Sequence, residues 1–173
     1  MTRWEPIENF EDYLVSDSGL VSVSVSHNRT LSYHRNQRGI LSVVLRKNGV
    51  QYRRSVSGLV ARAFLEPSEH GELFDTPIHL DGDRDNCYAY NLMWRPRWFA
   101  IRYHRQFKLP PLPGWYTPVQ DLDSGYVYDS LIDAAMTNGF LMRGLIPNPD
   151  GVIERSPWPT NLKLAYIIKS DTK

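Results

Sequence analysis

The stretch from Pro77 to Trp94, PIHLDGDRDNCYAYNLMW, sets one histidine ahead of Asp81, Asp83 and Asp85 at alternate positions, then adds Asn86 and Asn91. An imidazole is neutral near pH 7 and accepts a proton without much tuning. A histidine at the end of a strand, with an asparagine reaching back towards it, is how a general base is held against a scissile bond. Whether that base has a metal to work with then decides the chemistry.

The local elements that would position these groups are readable. Asp81-Gly82 predicts a turn, since glycine accepts positive φ and an Asx side chain bonds its own backbone. The run closing on Leu92 and Trp94 predicts a short helix carrying Asn91, with His79 ending a short strand. Upstream, Tyr13 and Val15, then Val21, Val23 and Val25, alternate with polar residues around Asp17-Ser18-Gly19, the pattern of half-buried strands and a hairpin. The segment from Gly39 to Val56 repeats the pattern around Lys47-Asn48-Gly49, and Asn-Gly is a strong tight-turn signal. SGLVARAFL, from Ser57 to Leu65, predicts a helix with Leu59, Val60, Ala63 and Phe64 on one face, stopped by Pro67. After Trp94, RPRWFAIRYHRQF interleaves arginines and aromatics as a helix or as an extended arm. Pro110, Pro111 and Pro113 mark a stiff linker. Beyond it, strands flank Asp123-Ser124-Gly125, Ser130 caps a helix with Asp133 at the capping-box position, and Gly139 separates that helix from a second one over FLMRGLI. NLKLAYIIK, from Asn161 to Lys169, predicts a final strand.

Charge is distributed unevenly behind a net +1 over 173 residues. No acid lies between Ser18 and Leu65, where Arg29, Arg35, Arg38, Arg46, Lys47, Arg53, Arg54 and Arg62 fall. None lies between Asn86 and Gln120, where Arg95, Arg97, Arg102, Arg105 and Lys108 fall. An acidic island, Glu66 to Asp85, separates the two. Acid-free basic stretches of this kind point to a polyanion partner. The lone Cys87 rules out an internal disulfide and a cysteine-based zinc site. No apolar run approaches the roughly 20 residues of a membrane span, and MTRWEPIENFEDY is too polar for a secretory signal. A cytoplasmic or virion-associated protein with no membrane partner is expected.

Three motifs resemble the HNH homing endonucleases encoded in phage introns, and together they cover nearly the whole chain. WEPIENFEDYLVSDSGLV is similar to that family's N-terminal module; SGLVARAF with PIHLDGDRDNCYAYNLMW resembles its ββα-metal core; TPVQDLDSGYVYDSLIDAAMTNG resembles its terminal helix-turn-helix repeat. The resemblance implies an α+β fold: a small antiparallel sheet module with an HNH-like core over residues 1–108, a proline-rich linker over 109–117, and a small helix-turn-helix-like module over 118–173. It also implies a Mg²⁺-dependent cut or nick in duplex DNA, with His79 as general base and Asn91 as the residue orienting its ring.

Two positions depart from that family. Its metal-binding Asp or Asn just before the histidine corresponds to Ile78, and a second ligand, an Asn beyond the tryptophan, corresponds to Ala100. Neither side chain offers the oxygen a hard cation requires. Asp81 or Asp83 would substitute if the turn folded inward, and His104 would offer only nitrogen, a poor donor for Mg²⁺. The histidine often found before the Leu-Val-Ala helix is Ser57. FLMRGLI, apolar apart from Arg143 and ringed by Asp121, Asp123, Asp129, Asp133, Asp150 and Glu154, is expected in a core or on a protein-docking surface more than at base edges.

The first functional expectation is therefore an HNH-like protein without a cofactor, retained for duplex DNA binding or as a phage virion or machinery component. Its DNA contacts would come from Arg29, Arg35, Arg38, Arg46, Lys47, Arg53, Arg54, Arg95, Arg97, Arg102, Arg105 and Lys108. The second is an active Mg²⁺- or Mn²⁺-dependent enzyme nicking duplex DNA through His79. A plain DNA-binding regulator is the third, and the acidic terminal module counts against it.

Overall fold

The computed structural model describes residues 1–24 and 26–167; Val25 and the last two residues of the expected strand over 161–169 lie outside them. The fold is α+β, built among the described residues from small antiparallel sheets and three α-helices. The chain divides at Ala100 and Ile101, inside a helix, into two compact units.

In the first unit β1 (Trp4–Ile7), β2 (Phe10–Ser16), β3 (Val21–Val23) and β4 (Ser26–Thr30) form a sheet in chain order. A second sheet joins β5 (His34–Arg35), β6 (Leu41–Lys47) and β7 (Val50–Ser55). The β6–β7 turn is the expected one: Asn48 and Gly49 both take positive φ, 51° and 77°, which the right-handed twist of a two-residue hairpin demands. Val43 and Leu45 point inward from β6 and meet Val15, Val21, Val56 and Val60 in one core.

Helix α1 (Val56–Phe64) lies on that core. Its N-cap is Ser55, whose Oγ accepts from the Gly58 N–H; that satisfies one of the donors every helix start leaves open. The chain leaves the helix in extended form at Leu65, two residues before the proline.

The hairpin of β8 (Thr76–His79) and β9 (Leu92–Arg95) carries the histidine and its asparagine, and here one expectation changes. Asn91 ends a single 3₁₀ turn over Ala89–Asn91, with no α-helix following it. Leu92–Arg95 pair instead with Thr76–His79, putting Leu92 opposite His79 and Met93 opposite Ile78. Backbone pairing with the strand that holds the histidine outweighs the local helical signal. Helix α2 (Arg97–Gln106) follows, which settles the choice between helix and extended arm.

The second unit holds a sheet ordered β11 (Val127–Tyr128), β10 (Val119–Asp121), β12 (Leu164–Tyr166). Helix α3 (Leu131–Asn138) packs its Leu131, Ala134 and Ala135 into a core with Val119, Phe140 and Met142. The cap is as expected: Ser130 Oγ accepts from the Asp133 N–H at 2.9 Å, and Gly139 closes the helix at φ 64°. The second helix expected over residues 140–146 does not form. Gln106 takes its place as a backbone partner: its Nε2 donates to the Phe140 carbonyl and its Oε1 accepts from the Met142 N–H. A buried side-chain amide thus satisfies an extended segment that would otherwise need helical hydrogen bonds. Phe140 and Met142 are core residues, whereas Ile146 is 78% exposed. No helix among the described residues is long and apolar enough to cross a membrane.

Candidate functional site

Strand β8 ends on His79, and the loop to β9 folds back beneath it. Asn91 closes that loop from the 3₁₀ turn that leads into β9. Its Nδ2 donates to Asp81 Oδ1 at 2.9 Å and to the Asn86 carbonyl at 2.8 Å, while its Oδ1 accepts from the Asp81 N–H at 3.1 Å. The Asn91 carbonyl in turn accepts from the Leu80 N–H. Both N–H donors of the carboxamide are therefore used on the turn that immediately follows the histidine. Asn91 fixes the backbone that carries His79.

Asp81 lies at the centre of the same network. Oδ1 also accepts from the Asp83 N–H, and Oδ2 accepts from Asn86 Nδ2 at 2.7 Å. Asp83 accepts from the Asp85 N–H, and Asp85 pairs with Arg35. Gly82, at φ 77°, makes the turn. Asp81 and Asp83 stabilise the loop through local donors, and Asp85 ties it to Arg35 on β5.

His79 is only 5% exposed, and its Nε2 lies 3.7 Å from the Cys87 sulfur. Burial, with the nearby Asp85, Asp83 and Asp81 charges adding to it, pushes the Cys87 thiol up to about 12. The sulfur therefore stays protonated and uncharged at neutral pH. The β2–β3 turn closes over this point: a Cβ on Gly19 would lie 2.9 Å from Cys87 Cβ, and the Ala89 N–H donates to the Asp17 carbonyl.

Ile78 is 0% exposed and Ala100 5%. On α2, Ala100 and His104 lie one turn apart and both are buried, as are Phe99 and Tyr103. Ser57, in the first turn of α1, is buried as well. Among the described residues, no three or more His, Cys, Asp and Glu side chains come close enough together to hold a metal ion.

The basic residues separate into two groups. Arg35 is paired with Asp85; Lys47 donates to the Asn9 carbonyl and pairs with Glu11; Arg54 lies over the Phe10 and Tyr52 rings; Arg95 is 7% exposed, donates to the Trp94 carbonyl and stacks on Phe99. Arg29, Arg38, Arg46, Arg53, Arg97, Arg102, Arg105 and Lys108 are exposed. The β6–β7 register puts Val44 opposite Arg53 and Arg46 opposite Gln51, so these four share the outer face of the ribbon, away from the Val43 and Leu45 side.

Sequence reasoning missed two residues here. Arg84 donates to the Arg38 carbonyl and ties the β5–β6 loop to the site; burial, with the Arg38 charge, lowers its pKa. Cys87 packs against His79. Neither leaves a mark in spacing alone, because both depend on how two distant loops meet.

The sheet, the capped helix and the hairpin ending in His79 define an HNH homing endonuclease-like fold, and nearly the whole chain takes part in it. The particular likeness is to the solved structure of the HNH homing endonuclease I-HmuI, described for its DNA binding and cleavage: 23% identity, TM-score 0.52, covering 97% of this chain and 99% of that one. No protein-family model matches the chain, and no curated protein does.

Proposed function

We propose that this chain binds duplex DNA on an HNH-like scaffold and does not cut it by metal-dependent chemistry. The observation that carries this reading is the pair Ile78 and Ala100, both buried and both without a donor atom, at the two places where the resemblance calls for metal ligands. The alternatives do not fit a Mg²⁺ or Mn²⁺ site either. Such ions need several oxygen ligands; the Asp81 carboxylate is hydrogen-bonded through both oxygens within its own loop, Asp83 accepts from the Asp85 N–H, and the adjacent Cys87 is held as a thiol.

Binding rests on surface chemistry. The β6–β7 ribbon presents Arg46, Gln51 and Arg53 from a stretch with no acids, and Arg97, Arg105 and Lys108 add exposed cations. Arg and Gln suit both phosphate oxygens and the major-groove edges of bases. The resemblance to a DNA-binding and DNA-cleaving endonuclease supports this choice of partner.

The test is incubation with supercoiled plasmid and Mg²⁺ or Mn²⁺, beside His79→Ala. Retention of plasmid that weakens as salt rises, with no relaxed product, is the expected result. Metal-dependent nicking that disappears in His79→Ala would overturn it in favour of an active enzyme with His79 as base. If Ile78→Asp with Ala100→Asn gains nicking, the missing ligands account for the lost activity.

A further inference from the structure

Arg84 is the one Lys or Arg of the loop from Leu80 to Asn91. Around it Asp81, Asp83, Asn86 and Asn91 bond to one another and to nearby backbone. Arg84 reaches out of that network to the β5–β6 turn, where its Nη1 donates to the Arg38 carbonyl. We propose that Arg38 and Arg84 together seat one phosphate of a duplex backbone. The proposal rests on the DNA-binding reading and names one contact of that interface.

Two loops bring these residues together. On one side Asn36 Oδ1 accepts from the Arg38 and Ile40 N–H groups, and the Asn36 N–H donates to the Ile40 carbonyl. Arg38 therefore sits on a turn closed by its own hydrogen bonds. On the other side, the bonded loop after His79 holds Arg84. The Arg84 stem runs along the turn, since a Cβ on Gly39 would lie 4.0 Å from Arg84 Cδ. Both backbones are thus set before a partner arrives, which lowers the cost of binding.

Charge gives the occupant its sign. Burial first, and the Arg38 charge second, lower the Arg84 pKa, so two like charges act on each other here in partial shelter from water. The carboxylates of the loop are committed elsewhere. Asp85 pairs with Arg35, whose pKa it raises with help from Asp83, and Asp83 accepts from the Asp85 N–H. Donors remain on both arginines. Arg84 Nε is buried without an acceptor and Nη1 is on the carbonyl, which leaves Nη2 unbonded among the described residues. The Arg38 side chain is exposed and has no hydrogen bond or ion pair among the described residues. An anion between two guanidinium groups replaces their repulsion with attraction to both. Phosphate oxygens accept from planar Arg forks, and a duplex backbone brings them to an exposed turn without needing an enclosed pocket.

The experiment follows plasmid retention by the full chain as salt rises, for the parent, Arg38→Gln, Arg84→Gln and the double variant. If the two arginines share a phosphate, the double variant should flatten the slope of log affinity against log salt by about 0.9, the value for one phosphate. Each single variant should flatten it by less. Arg84→Lys, which keeps the charge, should hold the parent slope. In a parallel NMR titration of the parent, inorganic phosphate should shift the Arg38 and Arg84 Nε–Hε signals together, and acetate should shift them less. Retention by the parent with an unchanged slope in the double variant would overturn the shared seat and leave the DNA-binding reading standing. A change of about 1.8 would place the arginines on two separate phosphates and overturn the sharing. Equal affinity losses in Arg84→Gln and Arg84→Lys at the parent slope would reduce Arg84 to a brace for the turn, against the proposal. Acetate acting as strongly as phosphate would overturn it in favour of a carboxylate partner. A parent that retains no plasmid at any salt would overturn the DNA-binding reading and this contact with it.

Discussion

Two hairpins of the first unit carry polar side chains and use them in opposite ways. In β8–β9, Asn91, Asp81, Asn86 and Asp83 are bonded to one another and to nearby backbone. In β6–β7, Arg46, Gln51 and Arg53 share an outer face and are exposed, with no ion pair to Arg46 or Arg53 among the described residues. The first hairpin's polar groups make its shape; the second's are available to a partner. A fold can therefore keep the geometry around His79 for stability while its exposed polar side chains lie on another strand pair.

The largest effect should come from forcing chemistry back into the closed region. Ile78 is 0% exposed, so Ile78→Asp buries a carboxylate and should destabilise the chain by about 3–5 kcal/mol, measured by urea unfolding. A loss below about 1 kcal/mol would show that water or a cation already reaches the site, and the contrast between the hairpins would fail. If Mg²⁺ or Mn²⁺ restores stability to the variant but leaves the parent unchanged, the scaffold still accepts a metal once a ligand is supplied.

Asn91→Ala tests the other half of the same region. It removes three side-chain hydrogen bonds from a buried turn and strands the partners of each. A loss of about 2–4 kcal/mol follows, whereas Arg53→Ala on the open ribbon should stay within about 0.5 kcal/mol of the parent. Comparable losses for the two variants would remove the distinction.

Much of this contrast is present in the sequence, and the reason lies in range. Asn48-Gly49, Asp81-Gly82 and the Ser130 cap each act within four residues, so their residue types carry their conformations. Asn91 is legible as a partner of the His79 region but not as the residue that bonds Asp81 and Asn86, because that follows from β9 pairing with β8 rather than from a helix. The helix expected over 140–146 fails for a similar reason: the group that satisfies its backbone, Gln106, is 34 and 36 residues away. Arg95 reads as a surface cation from composition and is buried against Phe99. Ile78 and Ala100 are visible as departures from a motif, but their burial requires the fold.

Smaller in energy is the direct test of the open hairpin. Arg46→Ala with Arg53→Ala should lower plasmid affinity by about tenfold at moderate salt and flatten the slope of log affinity against log salt by nearly one for each phosphate no longer neutralised. Urea midpoints should not move. An unchanged salt slope would remove the ribbon from the interface and leave Arg97, Arg105 and Lys108 to account for binding.

An effect of similar size separates the ribbon's charges from its geometry. Gly49 takes φ 77° in the β6–β7 turn, and a Cβ there would meet nothing within 4 Å. Gly49→Ala therefore adds no clash with a neighbour, only the strain of a left-handed backbone, about 1–2 kcal/mol. If that strain is absorbed locally, stability falls by this amount and plasmid affinity holds, because Arg46 and Arg53 keep their register. If the turn opens instead, the Lys47↔Val50 pair separates first and the Arg46↔Gln51 pair follows, so affinity falls together with stability. Measuring both on one variant tells whether the partner recognises a rigid ribbon or only its charges.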